Sequence, residues 1–267
     1  MLEKFNLNKK NAVITGAAGL LGKEHCLALM EVNCNVIAVD IDLERLENFK
    51  NSISKKYNKQ LSIYKLDITS ENNLINFTKK YTKVDILINN AAIDLKIDKS
   101  LNNKIDSTFE EFDLKRWNKE LSVGLTGAML CSKHIGNLMI KNGGGVMLNI
   151  ASDLSIIAPN QSLYKTKENP DHCKPITYSV VKTGLIGLTR YLATYWAEKN
   201  IRVNALSPGG VFNNQDDNFV KRIEELIPLG RMAQKNEYKS AIQFLCSDAS
   251  SYMTGQNIII DGGRTIW

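Results

Sequence analysis

The sequence has few of the side chains that build metal centres or disulfide frameworks. Its 267 residues include three histidines and five cysteines, and the cysteines form no C-x-x-C pair. Since no Cys/His cluster with ligand spacing is present, we predict no metal site. An odd number of scattered cysteines in a long chain is typical of free thiols in a reducing compartment.

Long apolar runs and concentrated charge are also lacking. No run approaches the length of a membrane span, and the N-terminal MLEKFNLNKK has no apolar signal-peptide region. We therefore expect a cytoplasmic protein that does not bind membranes. The net charge of +6 is spread along the chain, so nucleic-acid binding is not predicted. A solvated basic surface is one interpretation of this charge, and attraction of an anionic substrate is the other.

What the sequence does contain is a regular alternation of strand-like and helix-like segments. Seven short and mostly continuous apolar segments predict a parallel sheet buried on both faces. The helices between them predict one α/β domain over residues 1–267, a Rossmann-type doubly wound seven-stranded parallel sheet in three αβα layers. The predicted strands are 11–15, 35–40, 61–67, 84–90, 145–152, 201–207 and 256–261, and the predicted helices are 20–32, 43–57, 70–81, 114–141, 176–199, 215–226 and 234–247.

Two irregular stretches, 93–113 and 153–175, follow the fourth and fifth strands. Ligands of open α/β sheets bind outside the carboxyl ends of the strands. Long loops at that edge are more often functional than decorative. We expect both stretches to border a ligand site.

Residues 15–22 read TGAAGLLG between a strand and a helix. Gly16 permits a tight turn, Gly19 lets the backbone approach a pyrophosphate, and Gly22 lets the helix pack closely. The helix N-terminus adds free N–H groups and a positive dipole end. This pattern predicts a dinucleotide site, although many doubly wound proteins have a glycine-rich first turn.

Asp40 ends the second strand, 18 positions after Gly22. A carboxylate at this spacing hydrogen-bonds the ribose 2′-hydroxyl and repels a 2′-phosphate. Because neither Ile41 nor the turn supplies a basic side chain, the sequence favours NAD over NADP. A simple turn aspartate is the alternative interpretation.

Tyr178 and Lys182 lie four residues apart in YSVVK, at the start of a predicted helix. They therefore share one helix face. An ammonium group close to a phenol favours the phenolate and lowers the pKa of the phenol, so the pair could transfer a proton near neutral pH. Such pairs also arise by chance on helix surfaces.

In combination these segments resemble the short-chain dehydrogenase/reductase family, in its short single-domain type. The matching pieces are TGAAGLLG, LDIT, NNAA, NIAS, YSVVK, IRVNALSPGG and SYMTGQNIIIDGG, in the family's order. The resemblance implies an enzyme that interconverts a secondary alcohol and a ketone by hydride transfer with NAD, NADP being less favoured. It assigns Tyr178 as general acid/base, Lys182 as the group that lowers its pKa, and Ser152 as the group that polarises the substrate oxygen. It also implies a homotetramer or homodimer that acts on a small molecule.

The resemblance places the cofactor along the strand ends. The residues expected to bind it are Gly16, Gly19, Leu20, Leu21, Gly22, Asp40, Ile41, Asp67, Ile68, Asn90, Ala91, Ala92, Tyr178, Lys182, Pro208, Gly209, Val211 and Asn213.

Three features depart from the family pattern. Gly124 stands where the family usually has an asparagine that helps to hold a relay water, and Asn213 stands where a threonine is common. The stretch between Ser152 and Tyr178 is longer than usual because of residues 160–175. We predict that this loop, which carries Lys165, Lys167, His172 and Lys174, binds an anionic or polar substrate such as a phosphorylated or nucleotide-linked sugar. Asp153 is predicted as a further substrate residue, and a solvated loop is the alternative.

SVGLTGA, NQSLYK and PGGVFNNQ further resemble short-chain dehydrogenases of bacterial surface-sugar pathways, notably flagellin-modifying nonulosonic acid synthesis. A sugar-type substrate is therefore expected. The alternative function is a catalytically silent nucleotide-binding protein of the same fold, which only Gly124 supports.

Overall fold

A computed structural model of the chain describes residues 2–93, 108–167 and 169–267. Seven parallel strands form one sheet in the order β3-β2-β1-β4-β5-β6-β7. The order reverses between β1 and β4, as in doubly wound folds, and the predicted fold class is confirmed. The strands are β1 Asn11–Thr15, β2 Asn35–Asp40, β3 Leu61–Lys65, β4 Ile86–Asn89, β5 Gly145–Ile150, β6 Ile201–Pro208 and β7 Asn257–Ile260.

Helices connect the strands at nearly the predicted positions. The predicted helix 43–57 ends early, and its last residues form a separate 3-10 turn at Lys55–Tyr57. The predicted helix 114–141 is two helices joined by a π-helical turn, Ser122–Thr126. The helices are α1 Leu20–Glu31, α2 Leu43–Ser52, α3 Glu71–Lys80, α4 Leu114–Leu121, α5 Gly127–Lys141, α6 Ile176–Tyr195, α7 Asp217–Glu224 and α8 Lys239–Cys246.

The sheet is buried on both faces because successive residues of each central strand enter different cores. Ala12 and Ile14 of β1 pack in a cluster with residues of α1, α2 and α8. Val13, between them, packs in a second cluster with residues of α3, α5 and α6. All three side chains have no exposed surface. Continuous apolar strands are therefore required, since neither face meets water.

The irregular stretch after β5 contains short ordered segments. The loop after β5 includes 3-10 turns at Asp153–Ser155 and Gln161–Tyr164. Most of the predicted loop 93–113, as well as Glu168, lies outside the described residues. In the described ranges, no helix is long and apolar enough to cross a membrane. Over the same ranges, no group of three or more His, Cys, Asp or Glu side chains is arranged to hold a metal ion.

Candidate active site

The glycine-rich turn packs closely against the end of β4. Gly16 has a φ of +62°, and a Cβ there would lie 2.8 Å from the Cα of Ala91. A Cβ on Gly22 would overlap the carbonyl oxygen of Gly16. Both positions therefore require glycine for conformation or space. Gly19 is the N-cap of α1 and provides no side-chain cap, so the amides of the first turn are open to an anion.

Thr15 and Asn90 hold this turn in place. The hydroxyl oxygen of Thr15 accepts hydrogen bonds from the backbone amides of Asn90 (3.0 Å) and Ala91 (3.1 Å). The side-chain amide of Asn90 donates to the carbonyl oxygens of Thr15 (3.0 Å) and Gly16 (3.1 Å). The end of β4 is thus a brace for the turn.

Asp40 and Arg45 bring opposite charges to the same turn. The Asp40 carboxylate accepts from the amides of Ala18 (3.0 Å) and Asp42 (3.1 Å). The Arg45 guanidinium donates to the carbonyl oxygen of Ala18 over 3.0 Å. Arg45 was missed by the sequence analysis because α2 lies next to the turn only in the folded chain. Its one sequence signal is a basic residue in the first turn of the helix after Asp40.

The other predicted cofactor positions follow the same edge of the sheet. One oxygen of Asp67 accepts from the amide (2.9 Å) and hydroxyl (2.7 Å) of Thr69. The amide of Asn213 donates to the side chain of Gln215 over 2.7 Å. A Cβ on Gly209 would lie 2.7 Å from the Cα of Asp261. The remaining predicted positions at the strand ends and at the start of α1 are Leu20, Leu21, Ile41, Ile68, Ala92, Pro208 and Val211. The uncapped helix start and the glycine cradle fit a dinucleotide pyrophosphate.

Ser152, Tyr178 and Lys182 meet where β5 ends and α6 begins. Lys182 is buried, and its ammonium group donates to the carbonyl oxygen of Ile150, the last residue of β5, over 2.8 Å. Its Nζ lies 5.8 Å from the centre of the Tyr178 ring. Ser152 follows β5 directly and is buried. The structure therefore brings the three predicted residues to one edge of the sheet.

The Ser152 hydroxyl is held by a buried ion pair between Asp153 and Arg264. The Ser152 hydroxyl donates to Oδ1 of Asp153 over 2.8 Å, and Nη1 of Arg264 lies 2.7 Å from Oδ2. Asp153 and Arg264 are 3% and 5% exposed. Asp153 was predicted as a substrate residue, and the structure gives its carboxylate three protein partners: the Ser152 hydroxyl, the backbone amide of Leu154 and the Arg264 guanidinium. Arg264 was not predicted, because nothing in the sequence relates it to a residue 111 positions earlier.

The loop at 160–175 brings positive charge to Tyr178. Nζ of Lys174 lies 3.9 Å from the centre of the Tyr178 ring, a contact that the sequence analysis did not assign. His172 is half-buried, and burial together with the charges of Arg116 and Lys174 lowers its pKa. The other two predicted substrate residues, Lys165 and Lys167, are exposed.

The rest of this loop is anchored on α7. Nη1 of Arg222 donates to the carbonyl oxygen of Ser162 over 2.9 Å, and the rings of Tyr164 and Phe219 lie 5.8 Å apart. The loop therefore connects α7 with the start of α6, beside Tyr178.

Gly124 faces α6 from the π-helical turn. A Cβ on Gly124 would lie 2.5 Å from Cγ1 of Val181. Close by is a cavity of about 10 Å³, which Gly124 and Val181 line together with Glu120, Tyr178 and Lys182. The position of the usual family asparagine thus lies beside Tyr178 and Lys182, and Val181 takes up part of the space.

The sequence is similar to several dehydrogenases over nearly its whole length. Residues 16–265 match the family described as Enoyl-(Acyl carrier protein) reductase. An NAD-dependent glycerol dehydrogenase from Listeria innocua is 32% identical, covering 98% of this chain and 96% of that protein. A 2-dehydro-3-deoxy-D-gluconate 5-dehydrogenase from Dickeya dadantii is 30% identical, covering 98% of each. The post-translational flagellin modification protein A of Campylobacter coli is 28% identical, covering 96% of this chain and 98% of that protein.

Solved structures share the fold over the same length. A short-chain dehydrogenase from Leptospira borgpetersenii with bound NAD+ has a TM-score of 0.83 and 30% identity, covering 99% of this chain and 96% of that one. A putative NAD(P)-dependent gluconate 5-dehydrogenase from Beutenbergia cavernae, with NADP bound at low occupancy, has a TM-score of 0.83 and 28% identity, covering 98% of each chain. Similar structures thus hold either cofactor.

Proposed function

We propose a specific reaction for this chain, which belongs to the short-chain dehydrogenase/reductase family of oxidoreductases that act on alcohol and carbonyl groups. The reaction is interconversion of a secondary alcohol and a ketone on a polyol or sugar-type substrate, with NAD as cofactor. One observation carries the proposal: Ser152, Tyr178 and Lys182 converge at the carboxyl edge of the sheet that also bears the glycine-rich turn.

The chain's own residues orient the substrate and move its proton. In alcohol oxidation Tyr178 takes the proton of the substrate hydroxyl, and in ketone reduction it returns one. Lys182 is fixed by the carbonyl oxygen of Ile150, so its charge stays close to the phenol. Ser152 positions the substrate oxygen. Asp153, which is itself held by Arg264, fixes the orientation of the Ser152 hydroxyl. The cofactor, when bound, accepts or supplies the hydride.

The residues that would hold NAD follow the carboxyl edge of the sheet. The uncapped start of α1 and the glycines of the turn would take the pyrophosphate. Asp40 would take the adenosine ribose and disfavour a 2′-phosphate. The solved relative with bound NAD+ supports NAD as the cofactor.

The substrate class is supported by the relatives and by the loop. A glycerol dehydrogenase and a sugar-acid dehydrogenase are among the similar proteins. Lys174 lies beside the Tyr178 ring, and Arg116 lies close enough to His172 to affect its pKa. The positive charges of Lys174 and Arg116 suit a substrate with a carboxylate or phosphate group. A surface-sugar precursor is the second candidate, favoured by the flagellin modification relative.

Tyr178→Phe tests the proposal directly. We expect loss of turnover by about a hundredfold or more, since the general acid/base is removed, while NADH binding measured by fluorescence titration is unchanged. Tyr252→Phe is the matched control, because Tyr252 is fully exposed. Turnover that survives in Tyr178→Phe would show that another group transfers the proton.

A further inference from the structure

Glu120 is a buried carboxylate that the reaction described above does not use. It lies on α4, one helical turn before Gly124, and is 7% exposed. Nε of Arg116 lies 2.7 Å from Oε1, and the hydroxyl of Thr177 donates to Oε2. Burial of an ion pair costs desolvation free energy, and apolar residues of similar volume often pack as well or better. Packing alone therefore does not account for a carboxylate at this position.

Glu120 lines the small cavity beside the catalytic pair. The cavity of about 10 Å³ is bounded by Glu120, Tyr178 and Lys182, and has room for about one water molecule. A water there would have a carboxylate, a phenol and an ammonium group as hydrogen-bond partners, which satisfies the requirement for an ordered buried water. Glu120 and Tyr178 therefore line the same cavity, which has room for a bridging water.

Glu120 also lines a second cavity, of about 330 Å³, that contains charged side chains of α4. Among the described residues, Asp113, Lys115 and Lys119 line it and are exposed. Glu120 thus lines both the small cavity, here called the inner cavity, and this larger one, the outer cavity, whose side chains reach solvent.

The charged groups around Glu120 come from three elements. Arg116 is on the same helix, and Tyr178 and Lys182 are on α6. His172 and Lys174 lie on the loop before α6. The charges of Arg116 and Lys174 both act on His172. Any titration of this site therefore reflects all of these groups together.

We propose that Glu120 is a positioning residue that conducts the reaction's proton between Tyr178 and solvent. The inference rests on the proposed function. In oxidation, the O–H bond of the alcohol breaks and its proton forms the O–H bond of Tyr178, while the C–H electron pair leaves as hydride to the cofactor. The phenol proton then passes through a water in the inner cavity to a Glu120 oxygen, and from there to water in the outer cavity. Reduction runs the same steps backwards.

Glu120→Gln separates proton conduction from packing. Glutamine has the same size, and its amide can bond with both Arg116 and the Thr177 hydroxyl, which donates or accepts. It cannot exchange the proton as a carboxylate does. We expect kcat to fall by about tenfold or more, with KM and NADH binding unchanged. Thermal unfolding should shift down, because Arg116 loses a charged partner. We expect imidazole, a small proton-carrying buffer, to restore kcat in this variant alone, which a loss of stability would not explain. Glu111→Gln, an exposed carboxylate just before α4, is the matched control.

Stopped-flow measurement adds a readout that a structural role would not change. Formation of NADH should keep its wild-type rate in the first turnover, while proton release to a pH-indicator dye slows. If imidazole restores nothing, or if Glu120→Gln behaves like Glu111→Gln, the role assigned to Glu120 is wrong and the proposed function stands. A wild-type chain with no nicotinamide-dependent turnover of polyols or sugars would overturn both.

Discussion

At the scale of single residues, the proposed preference for NAD rests on Asp40 and Arg45. Asp40 accepts hydrogen bonds from two amides at the glycine turn, and Arg45 bonds to a carbonyl oxygen of the same turn. One negative and one positive group therefore lie at the site proposed for the adenosine ribose, the part in which the two cofactors differ by a phosphate.

We expect Asp40→Asn to bind NADPH about tenfold more tightly, because the charge that repels a 2′-phosphate is lost and the Arg45 guanidinium remains. Tenfold corresponds to about 1.4 kcal/mol, the size of one partly screened charge interaction. The measurement is the dissociation constant of NADPH by fluorescence titration. Arg45→Ala in the Asp40→Asn background is the control and should remove the gain. An unchanged NADPH affinity in Asp40→Asn would contradict the assignment of Asp40.

The residues missed at this scale share a physical reason. Arg264 meets Asp153, and Glu120 meets Thr177, across elements that are far apart in sequence. Sequence spacing predicts neighbours on one helix face, as for Tyr178 and Lys182, and does not predict contacts between elements. The contact of Lys174 with Tyr178 is not predicted for a different reason: the backbone of Lys174 precedes the helix, so helical spacing does not apply to it.

At the scale of elements, the π-helical turn at Ser122–Thr126 depends on close packing between Gly124 and α6. Alanine is the better helix former by about 1 kcal/mol, so Gly124→Ala would be stabilising in an isolated helix. Here the added Cβ would lie 2.5 Å from Val181, and overpacking of this kind costs about 1–3 kcal/mol. We therefore expect a net loss of stability in urea unfolding.

A double-mutant cycle isolates that contact. Gly124→Ala combined with Val181→Ala should lose less free energy of unfolding than the two single variants added together. Gly187→Ala on α6 is the control, since nothing lies within 4 Å of its Cβ position, and it should stabilise the protein. Additive single effects would mean that Val181 does not restrict Gly124.

The elements show where sequence prediction succeeds. The bounds of β1 and β2 agree with the predicted 11–15 and 35–40, because a continuous apolar run between turn residues has few alternatives. The predicted helix 114–141 was wrong only in its middle. SVGLT has no proline or charged residue to signal a break, and its close approach to Val181 of α6 is a contact between elements that spacing does not predict.

At the scale of the whole molecule, His25 links acid sensitivity to the core. His25 is 1% exposed, and neither of its ring nitrogens has a hydrogen-bond partner among the described residues. Burial lowers the pKa of His25 to about 3 from 6.5. Between those values the unfolded chain binds a proton that the folded chain excludes. The contribution of the neutral, buried His25 to the free energy of unfolding is therefore fully present above about pH 6.5. It is lost as the pH falls towards 3, by about 1.4 kcal/mol per pH unit.

We expect His25→Phe to flatten this acid limb in urea unfolding measured from pH 7 to pH 4, because an apolar ring has no proton to bind. His134→Gln is the control, since the ring of His134 bonds to Glu71 over 2.9 Å near the surface. An acid limb of unchanged slope in His25→Phe would assign the acid sensitivity to other groups.

The brace between Thr15 and Asn90 has a consequence for how the chain assembles. The two residues are 75 positions apart, and β1 pairs in parallel with β4 as well as with β2. Contacts of such long sequence separation require closure of a large loop and slow the folding of parallel sheets. The glycines of TGAAGLLG are adjacent in sequence, but the shape of the turn depends on contacts with β4. The turn therefore reaches its final geometry only once β1 has paired with β4. A nascent chain that carries only β1, α1 and β2 contains every glycine of the turn and lacks the strand that gives the turn its shape.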